Sequence, residues 1–194
     1  MLNEKISISP AVAADFTDMI DVLKHYHFRL LPIGQAETID PSEDGTLTVY
    51  NEVSHFDFAH AFVARVDGQI AGCCHWRLNN PTEAKTTLIS VDPIYREQGI
   101  GLALQIARMK AAYEAGAKYL LTFCDTDKST RWYIKHFGYE ISGEEPDHHR
   151  LHYFDVDGKI VWGIHFGFPG HVNGTKLVCD LERFFISSDL ASGT

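Results

Sequence analysis

The chain has few cysteines, no long apolar run and little positive charge. Its four cysteines, Cys73, Cys74, Cys124 and Cys179, lie in or beside apolar stretches and show no C-x-x-C spacing. They fit buried thiols in a reducing compartment better than a disulfide framework or a zinc knuckle. No segment approaches the roughly 20 apolar residues that span a bilayer. The opening "MLNEKISISP" is polar and carries an acid, so no signal peptide is expected there and the protein reads as cytoplasmic. Lys and Arg number 17 against 26 Asp and Glu, a formal net charge of −9. That balance disfavours nucleic acid and anionic membranes as partners and mildly favours a cationic small molecule. Internal repeats and low-complexity segments are also missing.

What is present is a globular pattern. With 194 residues and 45% hydrophobic content, the chain can bury one substantial core. We read one domain over residues 1–186, with its core at 62–143 and a disordered tail over 187–194. "KISIS" alternates as a short strand, and Phe16, Met19, Ile20 and Leu23 recur at helical spacing through about Tyr26. Residues 28–60 are irregular, with a short strand expected at Leu47–Tyr50. Asp67-Gly68 between two β-rich runs is a strong hairpin signal, and Asp157-Gly158 is a second. "TTLISV" reads as a strand halted by Asp92-Pro93. Leu102, Ile106, Met109 and Tyr113 then mark one face of a helix that Gly116 ends. With "KYLLTFC" behind it, this is a β-α-β unit. "KSTRWYIKHF" predicts another helix, N-capped by Asp127 or Ser129 and stopped by Gly138. "YEISGEE" and "TKLVCDLERFF" read as strands. The order implies an α/β (α+β) mixed sheet with helices on its faces.

Two glycines, Gly99 and Gly101, stand where the second helix is about to begin. A helix N-terminus carries unpaired N–H groups and the positive end of the macrodipole, so it can hold a phosphate. Glycines ahead of it remove Cβ atoms from the path of a pyrophosphate, and Arg96 can add charge or fasten the loop. The pattern differs from the dinucleotide G-x-G-x-x-G, since only two glycines occur.

The segment "LISVDPIYREQGIGLAL" resembles the acyl-CoA-binding segment of the GCN5-related N-acetyltransferase (GNAT) superfamily, whose Arg/Gln-x-x-Gly-x-Gly/Ala signature is matched by Arg96 to Gly101. "STRWYIKHFGYEISG" resembles that family's second hallmark, an aromatic-Tyr-x-Lys run on a helix before a glycine and a strand. The resemblance implies a splayed sheet in which the strand at Thr86–Val91 bulges and parts from Lys118–Cys124. Pantetheine would lie in the opening, against backbone at Ile89, Ser90 and Val91. The N–H groups of Gln98, Gly99, Ile100, Gly101 and Leu102 would hold the pyrophosphate, so acetyl-CoA is the implied co-substrate and no metal is.

The same resemblance gives Tyr133 the task of protonating the departing thiolate, for which a phenol and a thiol lie suitably close in acidity. The spacing from Tyr133 to Gly138 is one residue longer than usual. The usual glutamate base is absent from "KTTLISV". His75 is the leading replacement, with Asp125, Asp127 or water as other routes. The run of Asp147, His148, His149 and His152 resembles a metal site only superficially. His165 and His171 could reach a substrate pocket. The expected activity is acetyl transfer to an amine of a small, cationic molecule. A protein or peptide amine, or a non-catalytic CoA-binding sensor, stays open, as does a homodimer through the C-terminal strands.

Overall fold

A computed structural model of the chain describes residues 6–24, 28–31, 47–50, 58–124, 126–146, 150–156, 159–166 and 173–192. The elements in order are β1 (Ile6–Pro10), α1 (Phe16–Lys24), β2 (Phe28–Leu31), β3 (Leu47–Tyr50), β4 (Ala61–Val66), β5 (Gln69–Asn80) and β6 (Glu83–Val91). They continue with α2 (Ile100–Glu114), β7 (Tyr119–Cys124), α3 (Asp127–Phe137), β8 (Glu140–Pro146), β9 (Arg150–Val156), β10 (Lys159–Phe166), β11 (Asn173–Asp180) and α4 (Leu181–Ser192).

One sheet of seven strands, in the order β1-β4-β5-β6-β7-β11-β8, organises the molecule. The Asp67-Gly68 turn joins β4 to β5 with φ of 52° and 85°, the positive pair a two-residue hairpin needs. The other expected hairpin turn, Asp157-Gly158, lies outside the described residues, although β9 and β10 pair antiparallel on either side of it. β6 and β7 run parallel and α2 crosses between them, as a β-α-β unit requires. Side chains alternate between the two faces of β6. Ile89 and Val91 pack with Ile100 and Leu104 of α2, whereas the Ser90 hydroxyl donates to the Val22 carbonyl of α1 at 3.1 Å. The two helices therefore cover opposite faces.

Three expectations need correction. The buried face of α2 is Ile100, Leu104, Gln105, Arg108, Met109 and Ala112. Of the apolar stripe read from the sequence only Met109 is buried, and Leu102, Ile106 and Tyr113 are exposed. Two polar residues on the inner face hid the true stripe. Secondly, α3 is capped by Thr126, whose Oγ1 accepts from the Ser129 N–H at 3.1 Å. Thirdly, strand alternation stops at Asp180, whose carboxylate takes the Arg183 N–H at 2.9 Å, and the chain turns into α4. The segment from Ser187, expected as a frayed tail, continues this helix to Ser192.

Candidate active site

β6 and β7 pair only at Glu83–Lys85 with Tyr119–Leu121 and then part. The apex of the opening is closed by a hydroxyl pair, Thr86 Oγ1 to Thr122 Oγ1 at 2.6 Å. Just beyond it β6 bulges: His75 stands opposite Leu88 and Trp76 opposite Thr86, so Thr87 is the extra residue. An inserted residue bends its strand and adds twist, which steers β6 away from β7. Past the bulge, β6 keeps its β5 neighbour but has no β7 partner.

The register decides which main-chain groups face the opening. The Asp92 N–H donates to the Ala71 carbonyl at 2.9 Å. In an antiparallel pair bonded residues alternate, so Ser90 is directed at β5 while Ile89 and Val91 turn their N–H and C=O to the open side. The Val91 carbonyl already meets Arg96 Nε there, at 3.4 Å. Of the three residues expected along pantetheine, Ile89 and Val91 offer backbone and Ser90 does not.

At the wide end the chain turns on Asp92, whose Oδ1 accepts from the Ile94 N–H at 3.0 Å, and reaches α2 through Glu97 and Gly99 at φ of 62° and 83°. Gly99 is the residue before α2, and no side chain caps the helix there. The first helical acceptor bond is Ala103 N–H to the Gly99 carbonyl at 3.0 Å. The N–H groups of Ile100, Gly101 and Leu102 thus project from the N-terminus, as helix geometry requires. A Cβ at Gly101 would sit 3.7 Å from Val91 Cγ2 and 3.9 Å from the Trp132 ring. The first turn of α2, the end of β6 and α3 therefore converge here.

Gly72 lets this happen. A Cβ there would lie 2.9 Å from the Ser90 carbonyl and 3.0 Å from Leu104 Cδ1. Only a bare backbone lets α2 settle so close to β5. Nothing in the short run "QIAGCC" distinguishes that glycine from an ordinary one.

Beneath the opening lies a polar network. Arg108 is wholly buried; it donates from Nη1 to the Leu88 carbonyl at 2.7 Å, from Nη2 to the Tyr133 hydroxyl at 2.7 Å and from Nε to Gln105 Oε1 at 2.5 Å. Gln105 Nε2 donates in turn to the Tyr139 hydroxyl at 3.0 Å. Burial pushes the Tyr139 phenol well above its ordinary range, the Arg108 guanidinium pulling the other way. Burial likewise raises the Cys74 thiol to about 11, again opposed by Arg108. All four cysteines are free and buried. Tyr133 is 5% exposed, stacked edge-on to Trp132 and Tyr139 at ring distances of 4.9 and 5.1 Å.

His75 is fully buried, with Nδ1 2.5 Å from the Thr87 hydroxyl at the bulge. It lies on the neighbouring strand, next to Trp76, which stands opposite Thr86 of the apex pair. Asp125, Asp147, His148, His149 and His171 lie outside the described residues. Among the described residues no group of three potential ligands could hold a metal, and no helix is long and apolar enough to cross a membrane.

A sheet parted beyond a bulge, with an uncapped glycine-entered helix at its wide end, is the GNAT architecture. The acetyltransferase (GNAT) domain profile matches residues 57–141, the stretch that holds the parted strands, α2 and α3. Profile and fold together are those of acyl-CoA-dependent N-acetyltransferases.

No curated protein sequence matches it significantly. Solved structures do. The protein yncA from Salmonella typhimurium, determined with its cofactor acetyl-CoA, has a TM-score of 0.62 at 13% identity, over 91% of this chain and 94% of that one. The ribosomal-protein-S18-alanine N-acetyltransferase from Escherichia coli has 0.58 at 15%, over 91% and 94%. An agmatine N-acetyltransferase has 0.58 at 14%, over 90% and 99%. At such identities the likeness is one of fold.

Proposed function

We propose that the protein moves an acetyl group from acetyl-CoA to a primary amine of a small, cationic molecule. The observation that carries the donor side is the parting of β6 from β7 just where an uncapped helix begins. Ile89 and Val91 would pair with pantetheine as an added strand does. The N–H groups of Gln98 to Leu102, with Arg96, would receive the diphosphate. Two features support the cationic acceptor: the net charge of −9 and the occurrence of an agmatine N-acetyltransferase among proteins of this fold. The S18-alanine enzyme of the same fold supports a peptide amine as the second reading.

In the reaction, the neutral amine attacks the thioester carbon, a C–N bond forms and the C–S bond breaks. The leaving thiolate takes the Tyr133 proton, and Tyr133 is reprotonated from solvent. The nitrogen releases its extra proton to His75, reached through Thr87, or to water. Four free thiols support a cytoplasmic site of action, and a homodimer through the C-terminal strands is the matching proposal for assembly.

The test is calorimetric titration with CoA together with thiol release from acetyl-CoA in the presence of agmatine, spermidine or an alanyl peptide. Tyr133→Phe should cut turnover by about 100-fold and leave CoA affinity unchanged. Gly99→Val should do the reverse, weakening CoA at least about tenfold. Saturable CoA binding with no acetyl consumption by any amine would replace the enzyme with a sensor.

A further inference from the structure

A guanidinium is seldom buried without an opposite charge, because its lost hydration is not recovered from neutral contacts alone. Arg108 departs from that rule. Among the described residues it is one of the largest fully buried side chains. The ion pairs Arg65–Asp15, Lys110–Glu114 and Arg183–Glu140 do not involve it. Among the described residues its donors go to neutral acceptors: the Gln105 amide, the Leu88 carbonyl and the Tyr133 hydroxyl. A leucine or methionine would fill the same interior position without that cost, so packing does not account for an arginine here. The acceptors come from β6 just past the bulge, from α2 and from α3, three elements that frame the opening. A planar fork of fixed donors sets such partners relative to one another.

We propose that Arg108 is a positioning residue for acyl transfer. It ties the Tyr133 oxygen to the open limb of β6 and keeps a positive charge beneath the place where the thiolate departs. Arginine has no acceptor atom, so in their bond the Tyr133 oxygen must accept. The phenol's own proton is thereby left to point elsewhere, towards the opening. Negative charge arising on sulfur, or on the Tyr133 oxygen once it has given its proton, meets a cation already stripped of water. A charge set in place beforehand costs no reorganisation during the reaction. The inference rests on the reading of Tyr133 as the proton donor.

A double-mutant cycle tests it. Arg108→Lys keeps the charge and much of the volume but loses the fork. Thiol release from acetyl-CoA with the same three amines is measured for Arg108→Lys, Tyr133→Phe and the pair. Arg108→Lys should lower kcat by about tenfold, leave CoA affinity within about twofold and shift the kcat–pH profile. In the Tyr133→Phe background it should change nothing further. Equal losses in both backgrounds would make Arg108 a packing residue and overturn the proposal, as would an unchanged kcat. A Tyr133→Phe variant with full activity sinks the Tyr133 reading instead, and is recognised separately. A melting-temperature rise on adding CoA shows which variants are folded. Should Arg108→Lys lack it, Gln105→Leu removes the Nε acceptor, together with the donor to the Tyr139 hydroxyl, and leaves both Nη bonds in place; a smaller fall in kcat, absent in the Tyr133→Phe background, supports the proposal, and a fall that persists there overturns it.

Discussion

The helices α2 and α3 are placed alike but started differently. Each follows a strand of the central parallel pair, α2 after β6 and α3 after β7, and each packs on the same face of the sheet. At α3 the chain enters in extended conformation at Thr126, φ −134°, and the free N–H groups are met from within: Thr126 Oγ1 takes the Ser129 N–H. At α2 it enters through Gly99 at φ 83°, with no side chain to cap it. One helix is finished by its own sequence, and the other leaves donors for something else. An uncapped start sacrifices stability that a serine or threonine would supply. Its placement at the mouth of the parted strands gives a reason for the loss under the proposed function: the diphosphate of CoA would complete the helix.

The largest effect expected from this contrast is electrostatic. Asparagine and aspartate both tolerate a left-handed backbone and have nearly the same shape. Gly99→Asn and Gly99→Asp therefore separate the charge at the α2 entrance from the steric change. The aspartate should weaken CoA binding a further three- to tenfold at low salt, about the scale of a charge at a helix end. Raising the salt should narrow that gap. Calorimetry of both variants at two ionic strengths checks this. Equal affinities at low salt would mean that no diphosphate sits at Gly99.

The mirror experiment removes the cap from α3. Thr126→Ala should cost about 1 kcal/mol of stability, lowering Tm by about 2–4 °C in a chain of this size. CoA affinity should stay within about twofold. A loss of affinity as large as that of Gly99→Asp would make both helix starts part of one site, and the contrast between them would fail.

How much of this contrast could be read from the sequence depended on where local chemistry was enough. Asp67-Gly68, Gly116 and Gly138 announce their turns and stops because each needs a positive φ that other residues resist, and the structure has φ of 85° at Gly68, 95° at Gly116 and 64° at Gly138. The entrance to α2 is legible for the same reason through Gly99, at φ 83°, whereas the β-α-β order follows from the alternation of apolar runs. The cap of α3, expected at Asp127 or Ser129, is Thr126, since all three residue types cap helices and only the backbone decides. The inner face of α2 was missed for a different reason. Hydrophobic periodicity cannot register Gln105 and Arg108 as core, because their burial depends on Leu88, Tyr133 and Tyr139, far apart in sequence. The bulge at Thr87 and the close approach at Gly72 are likewise properties of pairing between strands.

The smallest effect should come from Gly101, although it belongs to the same motif as Gly99. Its position differs: Gly101 lies inside the first turn of α2, and a Cβ there would make ordinary contacts at 3.7 Å with Val91 and 3.9 Å with Trp132. Alanine needs no rearrangement of β6 or α3, and it points no bulk at the N–H groups on the helix axis. Gly101→Ala should therefore stabilise the protein by about 0.5–1 kcal/mol through the higher helix propensity of alanine. CoA affinity should remain within about twofold. Thermal melts with and without CoA check both parts, since a ligand that binds only the folded form raises Tm according to its affinity. Should Gly101→Ala raise the melting temperature of the free protein yet abolish the CoA-dependent rise, the diphosphate must press against the Cα of Gly101 itself. The anion would then lie deeper in the first turn than the bare entrance at Gly99 alone requires.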